Sequence, residues 1–130
     1  MDNPVNISGQ LLEDKVEDYC RENNISYQRA KPGAHAIDFI IETLHGKVFA
    51  DCTNQNSVGS VEEKLPHKLW KYHNKYGYNN VCIIKGDHKI SATVLMHCNE
   101  MARTKNFDLT FKSCEDFCNT LTTKTESFFG

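Results

Sequence analysis

Apolar residues recur along the chain in patterns that divide its first half into one helix and three strands. From Ser8 to Asn23 they recur every three or four residues, which predicts a helix capped by Ser8. Three short segments bounded by turn residues predict strands, namely Ile25 to Arg29, Ala36 to Thr43 and Lys47 to Thr53. The connection between the last two is short enough for a hairpin, so these strands are expected to lie side by side and antiparallel.

The second half of the chain alternates between helices and strands. Ser60 to Tyr76 predicts a helix, and Pro66, which is tolerated only in the first turn, agrees with a start between Ser60 and Lys64. Val81 to Ile84 is a continuous apolar run, typical of a strand covered on both faces. The remaining elements are a helix from Ile90 to Arg103, a strand from Phe107 to Phe111 and a helix that begins at Ser113. This order of elements predicts an α/β fold.

Length and composition favour a single globular domain with a substantial core. The chain has 130 residues, of which 39% are hydrophobic and 25% are charged. Residues 1–121 are predicted to form the domain, and the Thr- and Ser-rich residues 122–130 a flexible tail. The start of the chain lacks the pattern of a secretion signal, and no apolar run approaches the roughly 18 residues of a membrane span. An intracellular location without membrane attachment is therefore expected.

The six cysteines are expected to be free thiols, because no secretion signal indicates an oxidising compartment. Three of them lie within apolar patterns and are predicted to pack as small core residues: Cys20, Cys52 and Cys82. Cys114 and Cys118, with His97 and Cys98 upstream, suggest a zinc site. No Cys-x-x-Cys pair supports that suggestion.

The charge is distributed unevenly, although the net charge is only −2. Residues 1–63 carry 5 − 11 = −6, residues 64–112 carry 9 − 3 = +6, and residues 113–130 carry 1 − 3 = −2. Such asymmetry indicates an acidic site beside a basic surface, and the distribution rather than the total steers a polyanion.

Two acidic residues lie next to apolar runs, Asp38 within one and Asp51 at the end of the next. Buried carboxylates need a cation or a metal ion to offset the cost of burying their charge. Antiparallel pairing of their strands is expected to bring the two together at one end of the sheet. Alternation along the strand places Thr53 and Gln55 on the same face as Asp51. Glu13, at the edge of the apolar stripe of the first helix, is a third candidate.

The helix from Ser60 to Tyr76 carries two parallel stripes. Leucine and tyrosine residues form an apolar stripe, and lysines about 100° around the helix form a basic one. The basic stripe consists of Lys64, Lys68, Lys71 and Lys75. Lysine rows are usually solvated helix faces, but beside an acidic site this one also suits phosphate contacts that position DNA without reading its sequence.

Three acid-bearing segments resemble the PD-(D/E)XK nuclease superfamily, the fold of many restriction endonucleases. They are LLEDKV around Glu13, AIDFII around Asp38 and VFADCTNQ around Asp51. The following GSVEEKLP and the basic helix are also similar to family members whose motif is E-C-K-N-Q. The resemblance covers roughly residues 8–86. It implies a restriction-endonuclease-like α-β-β-β-α-β core with a mixed central sheet flanked by helices.

The chain departs from the family pattern at Thr53, where the family has a lysine. That lysine orients or deprotonates the attacking water and stabilises charge on the phosphate, which a neutral hydroxyl does poorly. In parts of the superfamily a lysine from the neighbouring helix substitutes, and Lys64 is the candidate here. An alternative alignment takes Glu62-Glu63-Lys64 as the motif, but this stretch is predicted to begin a helix, where side chains do not share a pleated face.

The resemblance implies metal-assisted hydrolysis of DNA. The implied metal ligands are Glu13, Asp38, Asp51 and the carbonyl of Cys52, a set of hard oxygen donors that suits Mg²⁺ and that Mn²⁺ can also use. The implied catalytic residues are Asp38, Asp51, Gln55 and Lys64. In this scheme Gln55 hydrogen-bonds the nucleophile or a phosphate, and the lysine stripe contacts the DNA backbone.

The first hypothesis is therefore a Mg²⁺-dependent endodeoxyribonuclease. A homodimer or higher homo-oligomer is expected, because cutting both strands needs two sites and one unit is small beside the roughly 1,000–2,500 Å² of a specific DNA interface. The alternative, which Thr53 favours, is a catalytically inactive nuclease fold that serves as a nucleic-acid-binding or assembly subunit. A third hypothesis is that the protein is an α/β domain with no polyanion partner.

Overall fold

Four helices and five strands form the part of the chain that the computed structural model describes. That part comprises residues 4–31, 37–44, 46–53, 60–86 and 90–123, with the backbone alone described for 4–10 and 60–64. In chain order the elements are α1 (Pro4–Glu22), β1 (Tyr27–Arg29), β2 (Phe39–Thr43), β3 (Gly46–Thr53), α2 (Ser60–Tyr76), β4 (Asn80–Lys85), α3 (Ala92–Lys105), β5 (Asp108–Ser113) and α4 (Cys114–Thr122). The predicted order of helices and strands is confirmed.

The five strands form one mixed sheet in the order β1-β2-β3-β4-β5. β2 is antiparallel to both β1 and β3, whereas β4 is parallel to β3 and β5 is parallel to β4. Gly46, with a φ of 109° that favours glycine, begins β3 directly after the turn from β2. The hairpin register places Phe39 opposite Ala50. Both the mixed sheet and the β2–β3 hairpin agree with prediction.

Helices cover both faces of the sheet and divide the core into two halves. α1 and α4 pack on the face that carries Ala50, whereas α2 and α3 pack on the face that carries Phe49 and Ile83. Each fully buried aliphatic side chain in these halves contributes about 1.5–3 kcal/mol relative to its exposed state. Alternation along β3 therefore directs Asp51 to the α2 side of the sheet.

Two details of the helices differ from prediction. α1 begins at Pro4, so Ser8 lies inside the helix and does not cap it; proline is favoured at a first helical position because it needs no backbone N–H there. Pro66 lies inside α2 and not in its first turn, because the helix begins at Ser60. The helical backbone at residues 62–64 also rules out Glu62-Glu63-Lys64 as a strand motif.

The last two helices begin at serine caps. The Ser91 side chain accepts a hydrogen bond from the backbone N–H of Val94 at 3.2 Å, and the Ser113 side chain accepts one from Asp116 at 3.1 Å. The cap at Ser113 agrees with the predicted start of the last helix. α4 ends at Thr122, whose hydroxyl lies 2.9 Å from that of Tyr19. Most of the predicted tail, residues 124–130, lies outside the described residues.

The cysteines are free, as predicted, and they do not form the suggested zinc site. Cys20 and Cys82 are fully buried, and Cys52 packs against the α1–α4 half of the core. Cys98 is buried in the α2–α3 half, whereas Cys114 packs in the other half. The sheet separates these two thiols, so the zinc suggestion is wrong.

Among the helices in the described ranges, none combines the length and apolar character needed to cross a membrane.

Candidate active site

The carboxylates of Asp38 and Asp51 meet at the point where β2 and β3 stop pairing. Asp51 Oδ1 accepts a hydrogen bond from the backbone N–H of Asp38 at 3.2 Å. In return, Asp38 Oδ2 accepts one from the backbone N–H of Cys52 at 2.9 Å. The chain bends at Asp38 just before β2, so this side chain takes the place of a strand partner for Cys52. These reciprocal hydrogen bonds hold the two acids side by side.

The acid pair is buried at high electrostatic cost. Asp51 is 2% exposed, and Asp38 is partly buried. Burial raises the pKa of Asp38 from its ordinary 3.8 to about 8, and the charge of Asp51 and a hydrogen bond with it add to this rise. The N–H of Cys52 opposes the rise in pKa. Such a pair either holds a proton or needs a neighbouring cation.

Two residues of α2 lie over the acid pair. Lys68 Nζ is 3.5 Å from Asp51 Oδ2, and the lysine side chain is 50% exposed. Tyr72 is one helical turn further along and is 5% exposed. Burial raises the pKa of Tyr72 far above its ordinary value, and the charges of Asp51 and Asp38 and a hydrogen bond with Asp51 contribute to the shift. α2 therefore supplies both a cation and a hydroxyl to this site.

Glu13 lies at the margin of the site and is paired with Arg29 of β1. Its Oε1 is 3.7 Å from Arg29 Nε. Another nitrogen of the same guanidinium, Nη1, lies 2.8 Å from Asp14 Oδ1 and 3.2 Å from Glu17 Oε1. Burial raises the pKa of Glu13, Arg29 lowers it, and the charge of Asp51 raises it. Glu13 is thus close enough to feel the acid pair, while its carboxylate is engaged by the guanidinium.

The other predicted site residues are placed less completely. Gln55 lies outside the described residues, and for Lys64 only the helical backbone at the start of α2 is described. Lys71 is half-buried, and Lys75 Nζ lies 5.6 Å from the ring centre of Tyr76. Among the stripe lysines whose side chains the structure describes, Lys68 is the one that reaches the acids.

The acid pair offers oxygen donors of the kind that Mg²⁺ prefers. The Thr53 carbonyl accepts a hydrogen bond from Gly86 on the β4 side, and carbonyls alternate along a strand, so the Cys52 carbonyl faces the side where its N–H meets Asp38. Two carboxylates and this carbonyl are hard oxygen donors, and Mg²⁺ is usually bound through one or two carboxylates plus substrate phosphates. Within the described ranges, no three His, Cys, Asp or Glu side chains group to hold a metal ion by themselves.

Sequence reasoning assigned Tyr72 only to the apolar stripe and did not single out Arg29. One signal for Tyr72 was available, since a tyrosine in a core stripe needs a partner for its hydroxyl when buried. For Arg29 the available signal was that its predicted strand directly precedes the one carrying Asp38 and directly follows the first helix, which is rich in carboxylates. A cation in that position is expected to pair with acidic side chains. Neither signal identifies the partner without the packing of the helices on the sheet.

Comparison with solved structures shows a similar fold in the structure of the restriction endonuclease FokI bound to DNA. The TM-score is 0.54 at 12% sequence identity, over 86% of this chain and 24% of that chain. This chain therefore spans about a quarter of the length of the FokI chain. No protein-family model and no curated protein matches the sequence. The likeness shows the fold, a five-stranded mixed sheet flanked by helices as in restriction endonucleases.

Proposed function

We propose that the protein is a Mg²⁺-dependent endodeoxyribonuclease that hydrolyses phosphodiester bonds. The observation that supports this most is the reciprocal acid pair, in which each carboxylate is fixed by a backbone N–H of the opposite segment. Such fixing gives the preorganised geometry that catalytic sites require. The likeness to a DNA-bound restriction endonuclease supports DNA as the substrate class.

In this proposal Asp38, Asp51 and the Cys52 carbonyl hold Mg²⁺, or Mn²⁺ in its place, and Glu13 approaches as a further ligand. The bound metal supplies a water of lowered pKa and neutralises charge on the scissile phosphate. Gln55 orients the nucleophile or a phosphate oxygen. The reciprocal hydrogen bonds keep both carboxylates from rotating away from the metal position.

The lysines of α2 position the DNA backbone. Lys64, Lys68, Lys71 and Lys75 recur on one stripe of this helix, which begins after β3 and packs on the face that carries Asp51. Phosphate contacts of this kind fix register without reading sequence and weaken as salt increases. A dimer would present one active site to each strand of the DNA duplex.

The test is cleavage of supercoiled plasmid by the purified protein with Mg²⁺, with Mn²⁺ and with EDTA. We expect metal-dependent nicking or linearisation, and a loss of at least about 100-fold in Asp51→Ala because a metal ligand is removed. Asp108→Ala is the matched control, since this exposed carboxylate lies at the start of β5, at the other end of the sheet. An intact plasmid across metals, or equal cutting by Asp51→Ala, would contradict the proposal.

An inactive nuclease fold that binds nucleic acid is the second candidate, and Thr53 is the observation that favours it. The two candidates differ in what they require of the acid pair. A catalytic site needs its divalent metal, whereas an inactive subunit has no need of one. Calorimetric titration of the protein with Mn²⁺, beside Asp51→Ala, separates them: binding that the substitution abolishes supports the enzyme.

A further inference from the structure

We infer that Lys68 is the lysine of this site and performs the role that the motif lysine performs in the nucleases that this chain resembles. This inference rests on the proposed function. It assigns Lys68 a contact with the reacting phosphate in addition to a place in the basic stripe.

The contact between Lys68 and the acid pair is the first support. Lys68 Nζ lies 3.5 Å from Asp51 Oδ2, and the lysine side chain is 50% exposed while that of Asp51 is 3% exposed. Leu69 and Tyr72 are buried and anchor this part of α2 on the sheet. The ammonium group thus lies on the border between the buried acids and solvent, where a phosphate would arrive.

The positions of the other lysines near the site are the second support. Lys85 of β4 lies directly beside Thr53 in the parallel register and shares the face of Ile83. Among the described side chains, however, Lys68 is the lysine whose ammonium comes within 4.0 Å of Asp51. Lys68 reaches the acid from above the sheet, so a lysine on β3 itself is not required.

The length of the contact is the third support, because it indicates a cation that can be exchanged. At 3.5 Å the pair is longer than the 2.7–2.9 Å typical of strong charge-assisted hydrogen bonds. A divalent ion at the two carboxylates would repel the ammonium from Asp51, and the flexible lysine stem would let it move to a neighbouring phosphate oxygen. In the inferred mechanism Lys68 would leave Asp51 and contact the phosphate when metal and DNA bind.

The chemistry required of Lys68 is electrostatic. In the hydrolysis, the water oxygen bonds to phosphorus and the bond from phosphorus to the leaving sugar oxygen breaks. One water proton ends on that sugar oxygen, and the other stays on the oxygen now bound to phosphorus. The Lys68 ammonium offsets the negative charge that develops on the non-bridging oxygens, and it neither gains nor loses a proton.

The experiment compares Lys68→Met with Lys64→Met, Lys85→Met and Lys105→Met. Lys105 is exposed in the last turn of α3 and controls for the loss of one positive charge. Single-turnover cleavage is measured at saturating DNA, DNA affinity is measured by anisotropy in EDTA, and Mn²⁺ affinity is measured by calorimetry without DNA. Thermal melts check that each variant is folded.

For Lys68→Met we expect the single-turnover rate to fall by about 100-fold or more at saturating DNA, because a charge that stabilises the transition state is lost. Lys68→Arg, which keeps the charge, should recover most of that loss. We also expect Mn²⁺ to bind Lys68→Met about fivefold more tightly, because no ammonium competes for Asp51. A purely phosphate-positioning lysine would change neither the rate at saturation nor the metal affinity.

Three results would overturn the inference. One is a wild-type rate for Lys68→Met at saturating DNA. Another is a larger loss in Lys64→Met or Lys85→Met than in Lys68→Met. The third is an unchanged or weaker Mn²⁺ affinity in Lys68→Met. Failure of the proposed function itself is recognised separately, since the wild-type protein would then neither bind Mn²⁺ nor cut DNA, and the inference would fall with it.

Discussion

Replacing Asp38 with asparagine should stabilise the metal-free protein at neutral and alkaline pH. Asp38 and Asp51 are adjacent, and both are charged when no proton or metal ion is bound. Asparagine removes one of these charges and keeps a carbonyl oxygen that can accept the hydrogen bond from Cys52. Its amide group can also donate a hydrogen bond to Asp51. The substitution thus removes repulsion while the polar partners remain satisfied.

The magnitude follows from the pKa of Asp38. A value of about 8 in the folded protein, against an ordinary 3.8, is a rise of about 4 pH units, each corresponding to about 1.4 kcal/mol. The upper limit is therefore about 5–6 kcal/mol. Because Asp38 is only partly buried, solvent screening reduces the effect, and we expect about 2–3 kcal/mol.

Whether the stability of the protein rises or falls with pH depends on which state, folded or unfolded, holds the Asp38 proton. Below about pH 4 both the folded and the unfolded chain are protonated at Asp38, and its charge costs nothing. Between about pH 4 and pH 8 the unfolded chain loses this proton while the folded protein keeps it, so the stability of the wild type falls as the pH rises. The advantage of Asp38→Asn should therefore be small near pH 4 and complete above pH 8.

Urea denaturation in EDTA at about pH 4.5, 6 and 8.5 measures this difference. Asp108→Asn serves as the control, since this carboxylate is exposed and its substitution should leave the difference from wild type nearly constant with pH. The reasoning is refuted if Asp38→Asn is no more stable than wild type at pH 8.5, or if its advantage does not shrink towards pH 4.5.

Two further predictions concern the same site. At pH 8, about 10 mM MgCl₂ should raise the melting temperature of the wild type by about 3–5 °C, as expected for a dissociation constant near 1 mM, and that of Asp51→Asn by less than about 1 °C. Differential scanning fluorimetry measures this, and equal shifts in both proteins would argue against a metal site at Asp51. Tyr72→Phe should lower the free energy of unfolding by about 1 kcal/mol, because Asp51 loses a hydroxyl partner; urea denaturation with no measurable change would contradict that role.

Much of the fold was predictable because local patterns determine it. The connection between β2 and β3 is so short that the two strands pair antiparallel. This pairing then determines which residues of β2 and β3 lie opposite each other. The start of α1 at Pro4 was not predicted, since residues 4–10 carry a weak apolar pattern and Ser8 is a good capping residue. Proline predicts the first turn of a helix, whereas α2 includes Pro66 in its interior.

The candidate site was predictable where its chemistry is carried by neighbouring strands. Asp38 and Asp51 could be paired because strand register is a local consequence of the hairpin. The contact of Lys68 with Asp51 depends instead on how α2 lies across the sheet, which helical periodicity does not specify. The pairing of Glu13 with Arg29 depends in the same way on how α1 lies against β1. Sequence periodicity identifies which side of a helix is buried but not where along the sheet its rim residues fall.

The cost of the acid pair bears on whether the protein is an enzyme or an inactive fold. Two carboxylates fixed side by side, one of them almost fully buried, reduce the stability of the metal-free protein. Natural proteins tolerate such destabilising arrangements mainly where function requires them. A subunit that only bound nucleic acid through the lysines of α2 would not need the charge of Asp38, and asparagine there would keep the hydrogen bond from Cys52 and increase its stability. The presence of both acids, with a lysine 3.5 Å from one of them, therefore supports the proposed catalytic role over a scaffold role, even though position 53 is a threonine.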